Sequence, residues 1–156
     1  LITQAKKDKV YFIHDEIGYN LSLSNLHCAI GFGQALNFKK ILLLKKKIYN
    51  FYYKYIKDKK DVFFLKEPSY CNSNKWMNVI SLKKNTKIKN NILINKFRKN
   101  NIDVRGVWYP CDLLEMYKKN EKFKLSKVYE IAKKSICLPS GPNLSINELK
   151  KIIKIV

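Results

Sequence analysis

The sequence predicts a mixed α/β chain in which one long helix precedes a small α+β domain. Residues 23–57 contain no proline, and their apolar residues recur at alternating steps of three and four, as they do on one face of a helix. From residue 58 onward, short apolar runs alternate with helical patterns. That order is typical of a single sheet covered by helices.

The long helix is expected to run from about Leu23 to Lys57. Its glycines, Gly31 and Gly33, each cost about 1 kcal/mol relative to alanine inside a helix. Close approach of another backbone is therefore a plausible reason for keeping them. The predicted buried stripe consists of Ile41, Leu44, Ile48, Phe51 and Tyr55.

The small domain is expected to contain four strands and three main helices. The predicted strands are Asp61–Lys66, Trp76–Leu82, Ile102–Trp108 and Ile136–Leu138. The predicted helices are Lys87–Lys99, Ser126–Lys134 with Val128, Ile131 and Ala132 inward, and a last helix with Ile146, Leu149, Ile153 and Val156 buried. Asn100 and Asn101 are expected to end the first of these helices, because asparagine tolerates the left-handed position after a helix.

Two capping boxes are predicted, because a serine or aspartate precedes a glutamate by three residues in each case. Asp112 and Glu115 would begin a short helix, and Ser145 and Glu148 would begin the last one. Leu144 and Leu149 also lie where they can pack against each other across the start of the last helix as a hydrophobic staple.

Composition narrows the class of protein. A chain of 156 residues with 46% hydrophobic residues can bury the core of one domain. No apolar run is long enough to span a bilayer. The four cysteines are widely spaced and form no CxxC pair, which argues against a zinc site and a disulfide framework. A cytoplasmic location is therefore expected.

The net charge of +20 raises the alternative of a basic nucleic-acid-binding module. However, Arg98 and Arg105 are the only arginines, and the lysines are scattered rather than arranged as a stripe with stacking aromatic residues. Codon bias in an AT-rich genome produces the same lysine-rich composition without selection for binding.

The strongest functional signal lies between His14 and Gln34. Gly18 permits a tight backbone, and the amide of Asn20 can both donate and accept hydrogen bonds. Ser22 and Ser24 can each cap the helix that follows. The exposed N–H groups of that helix start suit a phosphate or another anion. A plain loop in which Asn20 bonds its own backbone is the alternative.

This region resembles the DegT/DnrJ/StrS family of sugar aminotransferases. The similar segments are TQAKKD at residues 3–8, YFIHDEIGYN at 11–20 and LSNLHCAIGFGQ at 23–34, with weaker support from KNNIDVRGVWYP and AKKSICLPSGPNLS. The resemblance implies an enzyme that uses pyridoxal phosphate (PLP) to transfer an amino group, from a donor such as glutamate, to a keto sugar linked to a nucleotide. Such enzymes serve the biosynthesis of surface amino sugars.

The resemblance also implies where the chain lies in such an enzyme. Residues 1–22 would be the tail of the large PLP domain and a cofactor-contacting loop, residues 23–57 the interdomain and dimer helix, and residues 58–156 the small domain of a fold-type-I aminotransferase. The Schiff-base lysine would precede Leu1, so this segment alone is expected to be inactive.

The resemblance implies that Asn20 and Ser22 contact the cofactor phosphate of the neighbouring subunit of a homodimer. The family usually places an aromatic residue and an arginine after this asparagine, whereas this chain has Leu21 and Ser22. The phosphate site is therefore either rebuilt or weakened.

Three residues are expected to bind the nucleotide-linked sugar. The guanidinium of Arg105 matches a diphosphate, and the rings of Trp108 and Tyr109 suit a sugar or base face. The alternative places Arg105 in a surface ion pair and Trp108 in the core. A degenerate remnant that keeps only dimerisation is a further hypothesis for the whole chain.

Overall fold

The computed structural model describes residues 23–117 and 119–156. The chain divides into two compact units, one ending at Lys39 and one comprising Lys40–Val156. Asn20 and Ser22, expected to bind the cofactor, lie outside the described residues.

The helix expected for residues 23–57 is divided into two, so that prediction is corrected. α1 spans Asn25–Leu36 and α2 spans Phe38–Ile56. Between them, Asn37 donates from its backbone N–H to Gln34 O at 3.2 Å and from its side chain to Gly33 O at 3.0 Å. The side-chain amide of Asn37 thus bonds a carbonyl that a backbone N–H would otherwise bond in a regular helix. Helix propensity alone does not reveal this competition.

Of the three buried residues of α2, only Ile48 belongs to the predicted stripe. Ile48, Tyr52 and Ile56 are buried, whereas Tyr55 is 45% exposed. Tyr52 can be fully buried because its hydroxyl donates to Pro139 O at 2.9 Å, which satisfies its polar end. Burial raises the pKa of Tyr52 above its ordinary value.

Among the described residues, four antiparallel strands form one sheet in the order β1-β2-β4-β3. They are β1 (Val62–Phe64), β2 (Asn78–Leu82), β3 (Arg105–Gly106) and β4 (Ser135–Leu138). The strand expected at Ile102–Trp108 is therefore much shorter than predicted. One face of the sheet is apolar and buried, and it presents Val62, Phe64, Ile80, Leu82, Ile136 and Leu138.

Three helices supply the rest of the core: α2, α3 (Asn90–Lys99) and α5 (Ile146–Ile155). α3 contributes Leu93 and Phe97, and its end has the expected left-handed residue, Asn101, at φ 56°. α5 begins with the expected capping box of Ser145 and Glu148, but it buries Leu149, Ile152 and Ile155, and Ile146 is 63% exposed. The predicted stripe of α5 was thus only partly right.

α4 (Ser126–Lys134) has the predicted bounds but not the predicted buried face. Val128 and Ile131 are 45% and 42% exposed. α4 borders a cleft with Phe63 and Ser81, which lie on the sheet face opposite the core. An amphipathic pattern therefore marked a helix correctly but overestimated its burial.

Asp112 does not cap a helix as predicted. It lies within the 3₁₀ turn Cys111–Leu113, which is followed by a second turn at Glu115–Tyr117. Its carboxylate accepts a hydrogen bond from the Tyr129 hydroxyl, which raises the pKa of that tyrosine. Asp112 thus links this segment to α4. Within the described ranges, no helix is long and apolar enough to cross a membrane.

Candidate ligand-binding site

The sheet topology brings three segments together at one edge. β2 begins at Asn78, which pairs with Leu138 at the end of β4, and Arg105 of β3 pairs with Cys137. A cleft of about 380 Å³ opens there. Its lining includes Lys45, Trp76, Arg105, Cys137, Ser140 and Pro142. Burial raises the pKa of the Cys137 thiol, so this group stays protonated at neutral pH.

The structure places Arg105 at this cleft, with its side chain exposed. The guanidinium lies 3.3 Å from the Asp103 carboxylate, so the ion pair of the alternative interpretation is present. Both side chains are mostly exposed, and such pairs contribute only about 0–1 kcal/mol. An incoming oxyanion can therefore replace Asp103 as the partner of Arg105 at little cost.

Trp108 and Tyr109 are exposed by 64% and 62%, so the alternative that places Trp108 in the core is wrong. The Trp108 ring lies against that of Trp76, with centroids 5.5 Å apart and planes at 46°. Trp76 lines the cleft together with Arg105. The structure thus connects Arg105 and Trp108 through a residue that the sequence analysis did not single out.

Trp76 was missed because the sequence pattern assigned it to a strand. The observed strand begins two residues later, at Asn78, and Trp76 is 61% exposed. The available signal was its position two residues after the turn residues 72–74, where a large aromatic side chain has no strand neighbours to cover it. Trp76 and Trp108 are the two tryptophans of the sequence.

The two sides of the cleft are tied by Lys45 of α2. Its ammonium donates to Ser140 O at 2.9 Å and to Trp76 O at 3.4 Å. The fully buried Asn78 donates to Ser140 Oγ at 2.8 Å. Burial lowers the pKa of Lys45. The hydrogen bonds of Lys45 tie together the loops on either side of the cleft.

A second lysine, Lys75, holds the loop that precedes Trp76. Only 6% of it is exposed, and it is the one charged residue that is buried among those the structure describes. Its ammonium pairs with Glu67 and lies 4.4 Å from the centroid of the Tyr49 ring. Glu67 also accepts from the Ser73 N–H at 2.8 Å. The loop is thus closed on itself by one carboxylate.

This ion pair leads to an acid-sensitivity prediction. The hydrogen bond from Lys75, followed by those from Ser73, lowers the pKa of Glu67 from 4.5 to about 2. A lowered carboxyl pKa stabilises the fold above the unfolded value, and this stabilisation is lost as the pH falls through the folded value. The difference in free energy of unfolding between the parent chain and Glu67→Gln should therefore be constant above pH 4.5 and shrink toward pH 2.

Urea unfolding at several pH values checks this expectation, and the subtraction removes the contributions of the other carboxyl groups. A difference that stays the same across the whole window would show that Glu67 ionises alike in the folded and unfolded chains.

Neither Lys45 nor Lys75 is placed like a lysine that forms a covalent link with an aldehyde cofactor. Such a lysine needs a free, partly deprotonated amine. The Lys45 ammonium donates to carbonyl oxygens, and that of Lys75 pairs with a carboxylate. Nor do the described ranges contain a cluster of histidine, cysteine and carboxylate groups able to hold a metal ion.

A family model for the DegT/DnrJ/EryC1/StrS aminotransferases matches residues 2–156. The chain belongs to this family. Among curated members, EpsN of Bacillus subtilis (strain 168), named as a pyridoxal phosphate-dependent aminotransferase, is 24% identical over 160 residues, which cover 100% of this chain and 41% of EpsN. The GDP-perosamine synthase of Escherichia coli O157:H7 is 32% identical over 140 residues, covering 85% of this chain and 35% of that enzyme.

The fold is that of the family as well. PseC of Helicobacter pylori, an aminotransferase involved in the biosynthesis of pseudoaminic acid, superposes with a TM-score of 0.80 at 18% identity. The match covers 96% of this chain and 41% of PseC. The chain thus spans about two fifths of the length of these family members. Its mixed α/β architecture confirms the predicted fold class, the C-terminal part of a PLP-dependent aminotransferase.

Proposed function

We propose that this chain is the C-terminal segment of a PLP-dependent aminotransferase that aminates a nucleotide-linked keto sugar. The observation that carries the proposal is the edge cleft, where the exposed guanidinium of Arg105 lies near the exposed indoles of Trp76 and Trp108. A cation beside aromatic faces suits a diphosphate attached to a base and a sugar. The names of the matched family members agree with a sugar substrate.

Within this proposal the substrate residues keep their predicted roles. Arg105 binds the diphosphate by its two-pronged donor geometry, and Trp108 and Tyr109 contact a ring face. Tyr109 follows Trp108 directly and is 62% exposed, so its ring is accessible to a ligand. The proposed division of labour is that residues 58–156 bind substrate, while residues 1–22 contact the cofactor.

Bound PLP would supply the carbanion chemistry of the reaction, and the protein would bind and orient its phosphate. In this proposal Asn20 and Ser22 reach the cofactor phosphate of the other subunit of a homodimer in the cytoplasm. The surface of α1 supports a packing partner for this region. Its residues Leu26, Ile30, Phe32 and Leu36 are each more than half exposed. An apolar surface of that kind is typical of an interface.

The activity is tested with a polypeptide that joins this chain to a large PLP domain. Incubated with PLP, glutamate and a nucleotide-linked keto sugar, it should release 2-oxoglutarate, and the 156-residue chain alone should not. Nucleotide-sugar substrates from the UDP, GDP and dTDP series would be compared. Lack of turnover with every one of them, in a protein that retains PLP, would refute the proposed substrate class.

Asn20→Ala in that longer protein should weaken PLP retention by roughly 10- to 100-fold, since a hydrogen bond to a charged group is worth about 1.5–3 kcal/mol. A titration of the cofactor absorbance against added PLP measures the effect. Asn72→Ala, in an exposed loop, is the matched control and should leave affinity unchanged. Equal affinities for both variants would remove Asn20 from the cofactor site.

A further inference from the structure

We propose that Trp76 is a second ligand-contacting aromatic residue of the edge cleft, and that the buried pair of Lys75 and Glu67 is the device that positions it. The ligand contact rests on the proposed function. The positioning stands on the geometry of the described residues alone, so the two parts can fail separately.

Trp76 is suited to contact a ligand because it is a large apolar side chain left in the open. It is 61% exposed and lines the cleft beside Arg105. Its ring meets that of Trp108 at a tilt of 46°, so the two indoles form two sides of one apolar corner rather than a closed stack. A planar ring can stack on the free face of either indole while its charged group reaches Arg105.

The backbone around Trp76 is held on both sides. Its N–H donates to Asn74 Oδ1 at 3.0 Å, and its carbonyl accepts from Lys45. The backbone of the preceding residue, Lys75, has φ 54°, a left-handed conformation that residues other than glycine rarely adopt. Such a conformation persists only where the surroundings enforce it.

The contacts of the Lys75 side chain hold its backbone in this left-handed conformation. It turns into the protein, is 6% exposed, and is held between the Glu67 carboxylate and the Tyr49 ring. Burying a lysine in this way is a poor means of gaining stability, because desolvation offsets most of the attraction between the charges. A loop anchor is the better explanation, since turning Lys75 inward directs the next side chain, Trp76, outward toward Trp108.

The positioning is tested with Lys75→Met, which keeps an apolar side chain over Tyr49 but removes the charge, and with Glu67→Gln as a second variant. Trp76 and Trp108 are the two tryptophans of this chain, so the circular-dichroism couplet of two interacting indoles reports on their arrangement alone. Trp108→Phe provides the spectrum without that interaction. We expect both anchor variants to lose most of the couplet while thermal unfolding stays cooperative.

The ligand contact is tested by titrating UDP, GDP and dTDP into the same chain. Trp76→Ala should weaken binding of the preferred nucleotide by about tenfold, which lies within the range that stacking on one aromatic residue contributes. Lys75→Met should weaken it by a smaller factor, because Trp76 is still present but no longer fixed. Tyr70→Ala is the matched control, as Tyr70 lies in the same loop and is 88% exposed.

The outcomes separate the two parts. An intact couplet in Lys75→Met and Glu67→Gln would overturn the positioning role. Unchanged nucleotide affinity in Trp76→Ala, with affinity lost in Trp108→Ala, would overturn the contact role while leaving the proposed function in place. Absence of nucleotide binding in the parent chain, together with loss of the couplet in the anchor variants, would count against the proposed function and leave the positioning supported.

Discussion

Replacing Phe97 with alanine is expected to lower the free energy of unfolding by about 3–5 kcal/mol, the usual cost of removing a fully buried aromatic side chain. Phe97 lies on α3, is 0% exposed and belongs to the core cluster formed by α2, α3, α5 and the inner face of the sheet. Because that core supports the strands at the edge cleft, the loss should be global and cooperative. Urea denaturation followed by far-ultraviolet circular dichroism measures it.

Phe123→Ala is the control for this experiment, because it removes the same side chain from a position that is 93% exposed. Its effect should stay within about 0.5 kcal/mol. Similar losses for both variants would mean that Phe97 does not occupy the buried position described above.

Arg105→Ala is expected to weaken nucleoside diphosphate binding by about 10- to 100-fold, since a charge-assisted hydrogen bond is worth about 1.5–3 kcal/mol. The guanidinium is available, because its exposed pair with Asp103 can exchange for a phosphate oxygen. The affinity of Arg105→Lys should lie between that of the parent chain and that of Arg105→Ala, because lysine keeps the charge but not the two-pronged geometry. Isothermal titration at fixed ionic strength provides the measurement.

The chain contains its own control for charge. Arg98 is the other arginine of the sequence, and it is exposed in the last turn of α3. Arg98→Ala changes the net charge by the same amount but should leave affinity unchanged. If both variants weaken binding equally, the effect is general electrostatic attraction to a basic chain, and Arg105 has no specific role.

The features predicted correctly from the sequence depend on neighbouring residues. The Ser145–Glu148 capping box needs only a serine and a glutamate three positions apart, and it is present. Asn101 adopts the left-handed conformation expected after a helix. Three of the four predicted apolar runs contain most of a strand, and β4 coincides with the predicted run to within one residue.

The features predicted wrongly depend on residues far apart in the chain. Tyr52 is buried because Pro139 O, 87 positions away, accepts its hydroxyl proton, and no local pattern signals this. The local apolar pattern assigned Trp76 to a strand. Its exposure depends instead on how Lys75 packs against Glu67 and Tyr49, which the pattern does not show. The helix breaks at Asn37 because its side chain donates a hydrogen bond to Gly33 O, which asparagine does in some helices and not in others.

In the part of the chain that the structure describes, the outer strands of the sheet are its shortest, with three residues in β1 and two in β3. An edge this short presents few free backbone groups to another chain, and Lys60 and Lys66 flank β1 with positive charge. The sheet is therefore a poor template for fibril growth.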